Sequence, residues 1–253
     1  MSTESTPSDV TLLEGQKQYY RERAPEYDDW WYRRGRYDLG NEHTAVWDFD
    51  KDVLKQRLES FLPARSLLEL AAGTGTWTEI LAMGTEQLTV VDSSAEVLDI
   101  NRAKIAALST PASVEFVEAD IFQLDLGRTF EAIFFSFWLS HVPDDRFEEF
   151  WAMVDRHLVP GGRVCIVDSA HPISVHDAQG DGANDVHVVS SGTSVNDLMT
   201  GTATRTLADG REFEIVKRYW HPTELDNRLY ELGWAVDVAK TSRFFLHALV
   251  TKR

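Results

Sequence analysis

A doubly wound α/β fold, with a mostly parallel sheet and helices on both faces, is predicted by three features of the chain. Short apolar runs of strand length alternate with helical periods from Ser66 onward. The first run, LLEL, opens into AAGTGTW, a turn with two glycines one residue apart. A later helical stripe, Phe147, Phe150, Trp151, Val154 and Leu158, stops at Pro160-Gly161-Gly162 and is followed by another apolar run. Such alternation builds strand, crossover helix and parallel strand, and it places ligands at the carboxyl ends of the strands.

Taken in order, residues 1–10 are rich in Ser, Thr and Glu and are expected to form a disordered tail. Residues 18–38 carry five tyrosines and two tryptophans without a clean period, so a single ordinary core helix explains them poorly. Phe49, Val53, Leu54, Leu58, Phe61 and Leu62 then recur at spacings of three and four. They predict an amphipathic helix, capped by Asp50 and ending near Pro63. Residues 11–62 thus read as a helical cap packed on a core that begins at residue 63.

Strands are predicted at 66–70, 88–91, 113–117, 132–136 and 163–167, with helices at 76–82 and 93–108. Ser93 and Glu96 stand at capping-box spacing at the start of the second of these helices. The alternation breaks after Asp168. Residues 174–201 are rich in Asp, Gly, Ser and Asn and read as a flap, and Asp209-Gly210 between 202–207 and 211–219 signals a hairpin. This flap and hairpin, 174–219, form an insertion in a domain spanning 63–253. A helix at 222–232, stopped by Gly233, leads into strands 234–239 and 244–251, an antiparallel pair expected at the sheet edge.

Composition narrows the partners. The 253 residues carry 41 Asp plus Glu against 25 Lys plus Arg, a formal charge of −16, so counterion release from a nucleic acid would contribute little binding energy. No apolar run approaches the roughly 18 residues needed to cross a bilayer, so no membrane partner is expected. Cys165 is the only cysteine, which rules out an intramolecular disulfide and fits a cytoplasmic protein. The histidines lie in no metal-ligand spacing, and no metal is expected.

The glycine loop discriminates among ligands. It lacks the Gly-Lys-Ser/Thr of a triphosphate loop, and Gly75 is followed by Thr76, Trp77 and Thr78 rather than by the third glycine of a dinucleotide fingerprint. Glu69, on the strand entering the loop, would repel phosphates. S-adenosylmethionine, an adenosine cofactor without phosphates, removes both objections. Gly73 and Gly75 let backbone approach its methionine end, and Glu69 is suited to its ammonium group. Asp92 ends the second strand, where a carboxylate accepts hydrogen bonds from both ribose hydroxyls. Asp120 is placed for the adenine amino group, and Ile121 for the ring face.

At ELAAGTGTW, VVDSSAEVL, VEADIF, FEAIFFSFWLSHVPDD and LVPGGRVCIVD the chain resembles the class I S-adenosylmethionine-dependent methyltransferases. YYRERAPEYD and RTLADGREFEIVKRYWHPTEL resemble segments of bacterial natural-product enzymes, among them a group that O-methylates phosphonates and others that N-methylate amines. The resemblance implies a Rossmann-like, seven-stranded sheet with the last strand antiparallel. It adds Ala71, Trp77, Ser93, Phe137 and Trp138 to the expected cofactor site. It also implies that the N-terminal segment closes over the cofactor, with Tyr19, Tyr20 and Tyr27 as candidates to reach it.

The expected reaction is methyl transfer to an oxygen or nitrogen of a small-molecule substrate. His141, just beyond the fourth strand, and Tyr20 are the candidate proton acceptors or orienting groups. Trp30, Trp31, His171, Arg211 and Lys217 are candidate substrate contacts, the last two on one face of a hairpin strand and suited to an anion. The aromatic segment and the flap suit either closure over one site or an interface in a homo-oligomer. An NAD(P)-dependent oxidoreductase and a non-catalytic cofactor-binding protein are the alternatives, and the missing third glycine weighs against the first of them.

Overall fold

The computed structural model describes residues 7–171 and 201–253. The expected flap therefore lies, apart from Gly201, outside the described residues, as do residues 1–6 of the expected tail. Two long helices, α1 (Pro7–Trp31) and α2 (Asn41–Phe61), precede the sheet. The chain then alternates β1 (Ala64–Leu70), α3 (Thr78–Met83), β2 (Thr85–Asp92), α4 (Ala95–Ala106), β3 (Ser113–Glu118) and β4 (Phe130–Ser136). It continues with α5 (Phe147–Arg156), β5 (Leu158–Ser169), β6 (Thr202–Thr206), β7 (Glu212–Val216), α6 (Pro222–Glu231), β8 (Trp234–Lys240) and β9 (Phe245–Lys252).

Seven strands form one sheet in the order β3-β2-β1-β4-β5-β9-β8. Strands β1 to β5 are parallel, and β9 runs antiparallel to both its neighbours. The doubly wound fold and the antiparallel last strand follow as expected: β9 lies between β5 and β8, so that β8 takes the edge. β1 and β4 lie at the centre, where a strand is covered on both faces and must be apolar throughout. Leu67, Leu68, Leu70, Ile133, Phe134 and Phe135 are accordingly fully buried. The order reverses between β1 and β4, and the crevice outside their carboxyl ends is the ligand position of such sheets.

Three local expectations change. Asp50 does not cap α2, which begins nine residues earlier at Asn41. It lies in mid-helix and accepts hydrogen bonds from Thr241, Ser242, Arg243 and Phe244, fastening the turn between β8 and β9. Burial works against its charge, but these donors hold its carboxyl below the usual carboxylate range. At α4 the capping residue is Ser94, not Ser93, and its Oγ accepts the Val97 N–H at 3.2 Å. Pro160-Gly161-Gly162 lies inside β5, and α5 closes earlier, at His157.

The largest correction concerns the aromatic segment. Tyr19 to Trp31 belongs to one helix, α1, which carries Pro25 inside it and starts at Pro7, within the expected tail. It shows no single apolar period because it has no single buried face. One side packs on the separate β6–β7 hairpin, where Tyr19, Ala203, Leu207 and Ile215 form a small core. Its last turn enters the main core, where Trp31 meets Trp47, Trp77 and Phe245. A third tie reaches the glycine loop: the Asp28 carboxylate accepts from Thr74 Oγ1 at 2.5 Å and pairs with Lys104 Nζ at 2.6 Å.

Candidate active site

The loop after β1 owes its shape to backbone that most side chains disfavour. Gly73 and Gly75 have φ of 58° and 94°, and Ala71 adopts φ 49° without being glycine. Asp92, at the end of β2, braces the loop: Oδ2 accepts the Gly73 N–H at 2.9 Å and Oδ1 the Ser94 N–H at 3.1 Å. The Ser93 N–H also acts on this carboxylate, whose two oxygens together offer about four acceptor directions, so capacity is left for a neighbouring hydroxyl. Burial raises the Asp92 carboxyl above its ordinary value, against the lowering effect of these backbone donors.

Gly75 does not line the cavity. A Cβ there would stand 2.5 Å from Asn101 Oδ1, and Asn101 is itself buried, donating to Thr78 Oγ1 at 2.8 Å. Gly75→Ala is therefore expected to destabilise the fold by about 1–3 kcal/mol through overpacking and positive φ. Urea denaturation with an unchanged midpoint would contradict this.

A cavity of about 260 Å³ opens beside the loop. Ala71, Gly73, Thr74, Asp92 and Ser93 line it from the first two strands, Asp120, Ile121, Phe122 and Gln123 from the third, and Phe137 and Trp138 from the fourth. Helix α1 supplies the opposite wall with Leu13, Gln16, Lys17, Tyr20, Ala24 and Tyr27. Asp120 is partly engaged: Oδ1 accepts the Phe122 N–H, and Oδ2 pairs with Lys17 Nζ at 3.0 Å. Beneath the loop Glu69 is buried, and neither carboxylate oxygen has a hydrogen bond of normal geometry, the Thr78 hydroxyl being only a weak donor to it. Burial pushes its carboxyl up to about 8; Thr78 offsets part of this and the Asp92 charge adds to it.

A second cavity of about 360 Å³ adjoins the first and shares Tyr20, Tyr27, Phe137 and His141 with it. Phe137 takes φ 50°, its N–H held by Val167 O at 2.8 Å, so a strained residue stands between the two spaces. Arg23, Arg36, Arg205 and Lys217 line the second cavity, and no carboxylate does so among the described residues. Lys217 is buried, with Nζ 2.9 Å from Ser140 Oγ, 3.2 Å from Ser169 Oγ and 3.9 Å from Asp168 Oδ1.

His141 lies at the junction. Its Nδ1 is 2.6 Å from Val216 O, which can only accept, so Nδ1 carries the proton and Nε2 accepts from the Tyr20 hydroxyl at 2.8 Å. Burial, with the Lys217 charge next, holds the imidazole well below the ordinary histidine range. Burial likewise raises Tyr20. The pair is a neutral histidine accepting from a neutral tyrosine.

Several expected site residues fall elsewhere. Tyr19 lines the second cavity rather than the first. Trp77 is buried against Trp31 and Phe134 and forms no wall of the cofactor cavity, because the helix after the loop turns it into the core. Trp31 is buried likewise and lines neither large cavity, whereas Trp30 lines the second. Arg211 sits at the hairpin turn, outside β7, paired with Glu22 and Asp209; it does not share a strand face with Lys217. His171 lines neither cavity; its carbonyl accepts from Lys240, and its ring stands 6.4 Å from Tyr219, which does line the second. Arg205 was legible but missed. It stands two residues from Ala203 in β6 and two from Leu207 just beyond it, in phase with both, a charge on the buried face of a strand.

The class of protein follows from this frame: an α/β protein with a cavity at the switch point of its sheet suited to a diol-bearing, cationic cofactor, and a second cavity beside it. Residues 67–162 match the family model described as a methyltransferase domain. The structure labelled as a DhpI–SAM–HEP complex is 34% identical with TM-score 0.72, covering 98% of this chain and 100% of that one. The DhpI–SAH complex is 34% identical with TM-score 0.70, covering 95% and 97%. A demethylmenaquinone methyltransferase of Clavibacter sepedonicus is 35% identical over 109 residues, 42% of each chain, so the match spans less than half of that curated relative. The chain belongs to the class I S-adenosylmethionine-dependent methyltransferases, and the dinucleotide alternative falls away.

The residues fit that cofactor: Asp92 has acceptors for its ribose hydroxyls, and Glu69, a buried acid that does not itself line the cavity, would favour its ammonium group from the strand entering the loop. Asp92→Asn is expected to weaken cofactor affinity by about 1–2 kcal/mol, since charge-assisted hydrogen bonds are lost. Calorimetric titration with S-adenosylhomocysteine checks this, and unchanged affinity would remove Asp92 from the ribose role.

Proposed function

We propose that the protein methylates an anionic oxygen, carboxylate or phosphonate, of a small metabolite of the natural-product type. The observation that carries this reading is the second cavity, lined by Arg23, Arg36, Arg205 and Lys217 in a chain with a net charge of −16. Arg36 is paired with Glu26, and Lys217 stands 3.9 Å from Asp168, but the cations outnumber these partners, so an ammonium-bearing acceptor would meet like charge there, which favours oxygen over nitrogen. The similar DhpI–SAM–HEP complex, which pairs SAM with HEP, is consistent with an acceptor chamber beside the cofactor.

When bound, the cofactor supplies a methyl group on a sulfonium leaving group that needs no further activation. The chain's own residues supply alignment, an effect that can contribute several kcal/mol. Lys217, fixed by Ser140 and Ser169, and the arginines would hold the anion's outer oxygens. Tyr20, its proton committed to His141, presents oxygen lone pairs toward the shared space of the two cavities. An anionic oxygen needs no proton removed, so His141 serves to orient Tyr20 rather than to act as a base.

Transfer of labelled methyl from S-adenosylmethionine across carboxylates, phosphonates, phenols and amines tests the reading. Turnover confined to amines would overturn the oxygen assignment. Absence of any labelled product with a stably bound cofactor would leave a binding protein without catalysis.

A further inference from the structure

The second cavity is sorted by chemistry, and the sorting bears on the part of the acceptor that does not react. Among the described residues, ten of its nineteen lining residues are Phe, Tyr or Trp, and none is Leu, Ile, Val or Met. At one end tyrosine faces are already occupied by cations: the Arg23 guanidinium lies 5.2 Å from the Tyr27 ring centre and 5.7 Å from that of Tyr19, and Lys217 Nζ lies 5.0 Å from that of Tyr219. At the other end the rings meet each other, and the closest cation, Arg33 at 3.4 Å from the Trp47 ring centre, does not line the cavity. Trp30 stands edge-on to Trp47 at 5.3 Å and to Phe137 at 5.0 Å, and Trp47 meets Phe244 at 5.0 Å and Phe245 at 4.6 Å.

The two ends connect through Tyr27 and Trp30, whose ring centres are 6.0 Å apart, and the methyl-transfer junction at Tyr20, Tyr27 and Phe137 lies beside both. A small aliphatic anion would fill the cationic end and leave the ring-lined end in contact with water. Rings in tilted and edge-on array reward a planar π group more than a flexible chain, because edge-to-face contacts add to the area buried.

Resting on the anionic-acceptor reading, we propose that the natural acceptor joins its anionic head to a planar aromatic group, which enters the space bounded by Trp30, Trp47, Phe137, Phe244 and Phe245. The step itself is unchanged. The acceptor oxygen donates a lone pair to the methyl carbon, the carbon–sulfur bond breaks with its electrons left on sulfur, and the acceptor loses one negative charge as the sulfonium becomes a neutral thioether.

The test uses the full chain and two matched series: benzylphosphonate, cyclohexylmethylphosphonate and methylphosphonate, and the corresponding phenylacetate, cyclohexylacetate and acetate. Dissociation constants are measured by calorimetry with S-adenosylhomocysteine bound, and kcat/KM with S-adenosylmethionine. In whichever head series turns over, the aryl member is expected to bind at least tenfold more tightly than its short alkyl partner, with kcat/KM higher in proportion. The cyclohexyl member should fall between them. Trp30→Leu should narrow the aryl-to-cyclohexyl ratio toward one. If the short alkyl member binds and turns over within threefold of the aryl member, the inference fails while the anionic-acceptor reading stands. If neither series binds or turns over although cofactor binds, the anionic-acceptor reading fails and the inference with it.

Discussion

Lys217→Met raises KM for an anionic acceptor roughly ten- to hundredfold, corresponding to about 1.5–3 kcal/mol, and leaves S-adenosylhomocysteine affinity within about twofold. The methionine keeps most of the volume, and the charge is what disappears. Asp168 is not left uncompensated, because it accepts the Ser140 N–H at 2.8 Å and the Ser169 N–H at 2.7 Å. A second readout separates charge from packing. Burial and the Lys217 charge both depress His141, so removing the cation lets its pKa rise toward the ordinary histidine value. The wild-type rate should then show no histidine inflection near pH 6.5, while the variant loses rate on the acid side at a higher pH than the wild type does. An unchanged KM, with the fold intact by thermal melting, would remove Lys217 from the acceptor chamber.

Glu69→Gln makes the protein more stable and its cofactor affinity weaker, an opposed pair that few substitutions produce. In the folded protein the Glu69 carboxyl is raised to about 8 from an ordinary 4.5. Its contribution to stability is therefore full below about pH 4.5 and is lost as pH rises through about 8, because the folded state holds a proton that the unfolded state releases. Glutamine is neutral at every pH, so the variant's advantage should grow from about pH 5 and reach a few kcal/mol above pH 8. The cofactor's ammonium would reverse the preference by favouring the carboxylate. Wild-type binding near pH 7 should accordingly release close to one proton, detected as a buffer-dependent calorimetric enthalpy, whereas the variant releases none from this site. Parallel stability curves for the two proteins between pH 5 and 9 would refute the buried-acid account.

Much of the core was legible in the sequence because both of its signals are local. Apolar runs named β1 to β5, and the carboxylates at Asp92 and Asp120 followed strand ends. What escaped depends on contacts remote in the chain. Nothing near Asp50 indicates that its carboxylate holds a turn about 190 residues away, yet that turn presents Phe244 and Phe245 to the second cavity. Trp77 looked like a pocket wall by proximity to the glycines, but helical geometry carried it inward to Phe134.

The N-terminal helix was hidden for a different reason. Residues 13, 17, 20, 24 and 27 face the first cavity at steps of three and four, while 19, 23 and 30 face the second, which 20 and 27 also line. At 3.6 residues per turn the two stripes stand about a quarter turn apart, so they blur into one broad, unpatterned surface.

That double-sided helix has a kinetic consequence. Because α1 walls both chambers and is tied to the glycine loop through Asp28 and Thr74, a movement that frees one chamber also opens the other. Departure of product and exchange of spent cofactor would then be coupled through one helix. Turnover would be metered by how often a single helix swings away, whichever of the two molecules binds more weakly.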